Sequence, residues 1–219
     1  MPHHFGLIVR EGKKGLKLTR DKYATINNKS SFSGKLISPN YADEEGNLYT
    51  DEWCANHKKQ CLENYDLNML YYKALDKVEF NNELAAFLNR YQEFIEVFDL
   101  NLYDNKNGYY ILVLDQYRQI YIGTTNNIKK RVRQHWSNSR SFDRLLFPIG
   151  AVNTSRLSID SFRALDTTRI YASVTSDTYN NEDSYINQFS DKFITNRIGG
   201  GRVNSLLQVI ATIKKRQLE

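Results

Sequence analysis

Residues 108–136 have the sequence GYYILVLDQYRQIYIGTTNNIKKRVRQHW. Aromatic and aliphatic residues over Tyr109–Leu114 predict a mostly buried strand, and Asp115–Arg118 has the composition of a turn. Residues 120–122 predict a second short strand that ends at Gly123. The asparagines that follow are typical N-caps, so a helix rich in lysine and arginine is expected next. The segment therefore predicts a strand, a turn, a strand and a helix in immediate succession.

The spacing within this segment predicts a small polar cluster. Tyr110 and Tyr121 fall near equivalent points of the two strands, and Arg131 and His135 are four residues apart, so they share one helix face. A helix that follows directly on a hairpin would bring this face next to both tyrosines. Two phenols, a guanidinium and an imidazole suit a phosphodiester, because a cation neutralises the phosphate and an acid/base pair moves protons.

With these residues in place, the chain resembles the GIY-YIG nuclease family over about residues 107–205. Tyr109 stands where the family often has an aliphatic residue. The two short triplets alone would be a weak signal. The resemblance is strong because the remaining family positions follow in order; the matching residues are Gly108, Tyr110, Tyr121, Ile122, Gly123, Arg131, His135, Glu182 and Asn196.

The resemblance implies roles for these residues. Glu182 is expected to hold one Mg²⁺ (or Mn²⁺) per active site, since Mg²⁺ binds through few carboxylates plus waters and substrate phosphate. Tyr110 is expected to act as general base after giving its proton to His135, and Arg131 to clamp the phosphate. Tyr121 would position the phosphate or the water.

Three further side chains are candidates of lesser weight. Asn196 would either hold the active-site loops by hydrogen bonds or touch the phosphate. Lys130 and Arg133 would contact the DNA backbone or serve as ordinary surface cations.

We expect an α+β fold with two parts. Residues 107–219 would form the nuclease domain, a small three-stranded antiparallel sheet flanked by helices, with residues 169–174 as the third strand and 203–216 as a terminal helix. Residues 1–100 would be a mostly helical accessory region with short strands, for recognition of DNA or of a partner. Its helices are expected over residues 51–64, 66–77 and 81–97.

Charge supports a nucleic-acid partner. Residues 101–219 contain 17 Lys and Arg against 10 Asp and Glu, whereas residues 1–100 contain 13 against 15. The basic excess thus lies in the half with the motif, where a polyanion would bind. The weakly acidic first half argues against a broad phosphate-binding role there.

The rest of the composition is that of an ordinary cytoplasmic protein. No apolar run has the ~20 residues that span a bilayer, so no membrane partner is expected. No signal peptide is visible in the first ten residues. Cys54 and Cys61 form no disulfide framework, and with His57 they supply only three candidate metal ligands, so reduced thiols are the better interpretation.

The sequence thus predicts a divalent-metal-dependent DNA endonuclease. Two alternatives stay open: a non-catalytic nucleic-acid-binding module with a degenerate nuclease fold, and a nuclease that acts on RNA. Restriction, mobile-element and repair roles are equally compatible with the sequence. Cleavage at palindromic sites would indicate a homodimer.

Overall fold

The computed structural model describes residues 1–12, 14–25, 49–138, 140, 142–177 and 180–196. Its helices are α1 (Arg20–Tyr23), α2 (Asp51–Ala74), α3 (Lys77–Arg90), α4 (Ile128–Ser137) and α5 (Glu182–Ile186). Its strands are β1 (His3–His4), β2 (Leu7–Ile8), β3 (Ile95–Glu96), β4 (Gly108–Leu114), β5 (Gln119–Thr125) and β6 (Arg169–Val174). In these ranges no helix is both long enough and apolar enough to cross a membrane. The terminal helix predicted over residues 203–216 lies outside the described residues.

The main sheet has four antiparallel strands in the order β3-β6-β4-β5, and β1 with β2 forms a separate two-stranded sheet. The α+β class with antiparallel strands is confirmed, but the prediction of a three-stranded sheet is wrong. The missing strand is β3, which pairs through Ile95 and Glu96 with β6. Its two residues had been assigned to the helix predicted over 81–97.

α3 begins and ends earlier than the helix predicted over residues 81–97 from the stripe of apolar side chains in this segment. The side chain of Asp76 accepts a hydrogen bond from the amide of Glu79 and caps α3 at its start, while the amide of Tyr91 bonds to the carbonyl of Phe87 and closes its end. Buried Leu84 and Phe87 confirm the stripe within the helix. The chain then turns at residues 91–94 and enters the sheet.

The two helices predicted before α3 are one. α2 runs without interruption through residue 65, because Asn64 and Asn68 are buried inside it and bind the carbonyl of Ser155 at 2.6 and 3.0 Å. These bonds fasten α2 to the loop that follows α4. Asn64, which the sequence pattern places at the end of a helix, is thus a buried residue that binds this loop.

β4 lies at the centre of the sheet, and all seven of its residues are buried. Because strand side chains alternate between faces, Tyr110, Leu112 and Leu114 pack on one side with α2 and α4. Tyr109, Ile111 and Val113 pack on the other side with α3 and α5. Each of these two buried clusters draws residues from both sides of the boundary predicted near residues 99–107.

Gly108 lets β4 start in close contact with β6. Its φ is +149°, and a Cβ there would lie 1.9 Å from the backbone carbonyl oxygen of Ser173. A backbone atom of a central strand cannot move aside without breaking the ladder, so this position requires glycine.

We therefore predict that Gly108→Ala lowers the free energy of unfolding by about 2–4 kcal/mol through overpacking and backbone strain. Urea denaturation measures it, and Gly12→Ala is the matched control, since no atom lies within 4 Å of a Cβ at Gly12. Equal stability of the two variants would contradict this account of the strand contact.

Candidate active site

The register of the β4–β5 hairpin places the two motif tyrosines on one face of the sheet. Tyr110 lies opposite Gly123 and Tyr121 opposite Leu112, so the tyrosines are diagonal neighbours with ring centroids 6.1 Å apart. The ring of Tyr110 extends across Gly123, where a Cβ would lie 2.4 Å from the Tyr110 hydroxyl oxygen. Gly123 is therefore needed for space, because any larger residue would displace the phenol.

The helix α4 brings its inner face onto these tyrosines. Its N-cap is Asn127, whose side-chain oxygen accepts a hydrogen bond of 2.9 Å from the amide of Lys130. This cap starts the helix at Ile128, which is fully buried together with Val132. His135, one turn further, is consequently buried beside the hairpin with its ring centroid 4.9 Å from that of Tyr121.

Three side chains form a hydrogen-bonded chain through His135. Its Nε2 lies 2.8 Å from the hydroxyl oxygen of Tyr110, and its Nδ1 lies 2.9 Å from Oδ1 of Asp160. Tyr110 is fully buried, whereas a quarter of the Asp160 side chain is exposed. The chain therefore leads from the interior of the cleft to its edge.

The electrostatics define where the protons lie. Burial lowers the pKa of His135, and the hydrogen bond to Asp160 offsets this only in part. Burial alone would raise the pKa of Asp160, but the hydrogen bond from His135 and the charges of Arg140 and Arg131 lower it overall. At neutral pH, a neutral His135 therefore donates Nδ1–H to the Asp160 carboxylate, and its Nε2 accepts a hydrogen bond from the Tyr110 hydroxyl group.

Tyr110 itself is a phenol in the resting site. Burial, and then the neighbouring Tyr121, raise its pKa well above the ordinary value, and Arg131 only partly counteracts them. Burial and the charge of Glu182 likewise raise the pKa of Tyr121. The charge of Arg131 alone therefore does not bring the pKa of Tyr110 down to its ordinary value.

Arg131 lies on the same side of α4 as His135 and is half-buried. Its Nη1 donates to Oε1 of Gln134 at 3.4 Å. Its positive charge favours the ionised forms of Tyr110, Tyr121 and Glu182. The charge of Arg131 also lowers the pKa of His135, so the guanidinium is electrostatically coupled to every other ionisable side chain expected in the site.

Glu182 is the first residue of α5 and is only 8% exposed. Burial, and then the charge of Asp183, raise its pKa to about 7. Among the described residues no hydrogen bond or salt bridge to its carboxylate occurs, and no group of three or more His, Cys, Asp and Glu could hold a metal ion. One buried carboxylate without a partner fits a Mg²⁺ site completed by waters and substrate phosphate, but not an all-protein cage.

Asn196 fastens the end of the described chain to the hairpin. Its Nδ2 donates to the carbonyl of Ile122 at 2.8 Å, and its Oδ1 accepts from the amide of Ile122 at 3.2 Å. Thr195 adds a bond from its amide to the carbonyl of Ile120 at 2.8 Å. This geometry favours the loop-holding role among the two roles considered for Asn196.

Lys130 and Arg133 are exposed on the outer side of α4. They do not contact the cluster around Tyr110. Their roles as contacts to the DNA backbone or as ordinary surface cations stay predictions.

The sequence did not single out Asp160. It lies in a segment that forms two separate 3-10 turns, at Ile159–Ser161 and Ala164–Asp166. The only signal in the sequence is an acidic residue in a stretch of mixed polar and apolar residues. That signal does not identify a partner 25 residues away.

We predict that His135 is neutral at pH 7.5, carries its proton on Nδ1 and has a pKa below the ordinary histidine value, because burial disfavours its charged form. Long-range ¹H–¹⁵N NMR identifies the tautomer, and the His135→Gln spectrum assigns the signal among the four histidines. Asp160→Asn should lower this pKa further, because it removes the negative charge that stabilises the imidazolium. A signal from the Nε2–H tautomer in the unmodified protein would contradict the proton arrangement.

A comparison with known protein families finds a match over the part of the chain that carries the candidate site. A family model described as the GIY-YIG catalytic domain matches residues 106–193. No curated protein and no solved structure matches the chain. The match covers the hairpin, α4, β6 and α5, and hence every residue of the cluster except Asn196. Residues 106–193 of the chain therefore match the GIY-YIG catalytic domain, the family that the sequence motifs indicate.

Proposed function

We propose that the protein is a divalent-metal-dependent DNA endonuclease that hydrolyses phosphodiester bonds with Tyr110 as general base. The GIY-YIG domain implies a nuclease-type function. The observation that supports the finer proposal is the hydrogen-bonded chain Tyr110–His135–Asp160 beside Arg131 and a buried, unpartnered Glu182. A module that only binds nucleic acid has no use for a buried carboxylate next to phosphate, because the two repel each other.

The chain's own residues account for proton transfer and charge neutralisation. His135 takes the Tyr110 proton on Nε2, and Asp160 stabilises the imidazolium that forms. The phenolate then takes a proton from the attacking water while the new P–O bond forms and the bond to the leaving oxygen breaks. Arg131 neutralises the non-bridging oxygens with its planar guanidinium. A divalent cation bound at Glu182 would supply further stabilisation of charge on the phosphate and leaving oxygens.

The first test is cleavage of supercoiled plasmid DNA in Mg²⁺ or Mn²⁺. We expect nicking or linearisation that EDTA abolishes, and a rate at least ~100-fold lower in Glu182→Gln. Asp183→Asn is the matched control, because it removes the same charge from the exposed neighbouring residue and should keep most of the activity.

A thermal-shift measurement separates metal binding from activity. Mn²⁺ should raise the Tm of the unmodified protein relative to EDTA, since a ligand that binds only the folded state stabilises it, and should leave Glu182→Gln unchanged. Protein that binds DNA but cuts neither plasmid nor RNA with either metal would instead be a non-catalytic binding module. Cleavage of RNA alone would identify the RNA-directed alternative.

The second test concerns Asp160 as a positioning residue. We predict that Asp160→Asn lowers kcat by ~100-fold with little change in KM, because His135 loses the tautomer that accepts the Tyr110 proton. The acidic limb of the pH–rate profile should move to lower pH, since His135 then protonates less readily. Asp160→Glu should restore part of the rate. A loss of Tm in Asp160→Asn with an unshifted pH profile would show a structural role only.

A further inference from the structure

A groove of about 1100 Å³ lies between the N-terminal segment and the outer side of α4. Its lining includes apolar residues such as Leu7, Leu16 and Trp136, together with a larger set of lysines and arginines. One wall is formed by residues 7–10, 12 and 14–16, and the other by α4 and the loop after it. The first wall lies outside the residues that match the family model.

The described residues that line this groove carry seven cations and one carboxylate; the cations are Arg10, Lys14, Lys129, Lys130, Arg133, Arg140 and Arg163. The carboxylate belongs to Asp104 and is already paired with Lys129 at 3.0 Å. Of the six remaining cations, Arg10, Lys14, Lys130 and Arg133 make no salt bridge within the described ranges. The charges of Arg140 and Arg163 are partly compensated by the nearby carboxylates of Asp160 and Asp166. The groove therefore has an excess of positive charge that comes mainly from the first four.

The segment that forms the N-terminal wall has a positive net charge, although residues 1–100 as a whole have a slightly negative one. Residues 1–25 contain six Lys and Arg against two Asp and Glu, whereas residues 26–100 contain seven against 13. The slight negative charge of the first half thus comes entirely from its second part. The argument against phosphate binding by this half does not hold for the segment that forms the groove.

Lys14 and Arg163 lie close enough to repel each other. Burial, and then the charge of Arg163, lower the pKa of Lys14 to about 8. The Arg163 guanidinium is fixed by the carbonyls of Asn138 and Asp160 at 2.7 and 2.6 Å, so it cannot turn away. An anion bound between these two cations would relieve their repulsion.

Two residues that line the groove bind to residues of the candidate active site. Gln134 lines it and accepts the hydrogen bond from Arg131. Arg163 lines it and binds the carbonyl of Asp160, whose side chain holds His135. A polymer that presents one linkage to Tyr110 and Arg131 would thus pass next to the groove.

We propose that this groove binds the phosphodiester backbone of duplex DNA adjacent to the cleaved linkage. The proposal rests on the proposed function and names how the substrate is held beyond the active site. Cations from three separate segments suit a polymer with regularly spaced phosphates, because a single phosphate could contact only two or three of them.

The test is binding of labelled duplex DNA in EDTA, measured by fluorescence anisotropy over a range of salt concentrations. Arg10→Gln/Lys14→Gln should raise Kd about tenfold and reduce the slope of log Kd against log salt by about 2, since each lost phosphate contact removes roughly one unit. Lys58→Gln/Lys59→Gln is the matched control, because it makes the same charge change on the exposed side of α2. It should alter Kd by less than about twofold.

Arg10→Glu supplies a second variant, since Arg10 is exposed and Lys14 is partly buried. It should weaken binding without lowering Tm. Wild-type Kd and salt slope in both groove variants, or an equal loss in the control, would overturn the proposal. Binding in EDTA requires no cleavage. If the groove variants lose DNA binding but the unmodified protein never cuts DNA, only the nuclease function is refuted. If the groove variants cut and bind DNA normally, only the proposal that the groove binds DNA is refuted.

Discussion

The site depends on the buried hydrogen bond between Tyr110 and His135. That bond forms only if β4 and β5 pair in the observed register, which sets the phenol across Gly123, and if α4 begins at its Asn127 cap, which sets the imidazole over the hairpin. A register slip of one residue would move Tyr110 to the opposite face of the sheet. Neither end of the bond can adjust, because both groups are fully enclosed.

The N-terminal half takes part in enforcing this register. β4 is buried on both faces, and the residues that cover it come from α2 on the side of Tyr110 and from α3 on the other. β3 adds an outer strand to β6, so the sheet itself begins before the family match. Residues that precede the family match thus contribute to the apolar cover of both faces of the central strand, together with α4 and α5.

What the sequence could predict follows from the range of the interactions. The hairpin and the shared face of Arg131 and His135 depend on contacts within about 30 residues, and their spacing appears directly in the sequence. The third strand pairs with β4 over a longer separation, from Val113 with Arg169 to Gly108 with Val174, but its β-branched and aromatic composition is visible locally. Asp160 was missed because its contact with His135 depends on the path of a loop made of short turns. The fourth strand was missed because two residues carry too little pattern to distinguish a strand from a helix end.

The pKa of Tyr110 explains why the cluster needs all its members. Burial holds the phenol protonated, so Tyr110 cannot be a base in the resting site, whatever its distance from water. Ionising it requires an acceptor for the proton and positive charge to compensate the phenolate. In the proposed function His135, oriented by Asp160, would be the acceptor, while Arg131 and a cation at Glu182 would supply the charge. Since Arg131 alone does not bring the pKa down to its ordinary value, the base would form only when substrate and metal complete the site. Such an arrangement would keep the nucleophile inactive until a phosphodiester is bound.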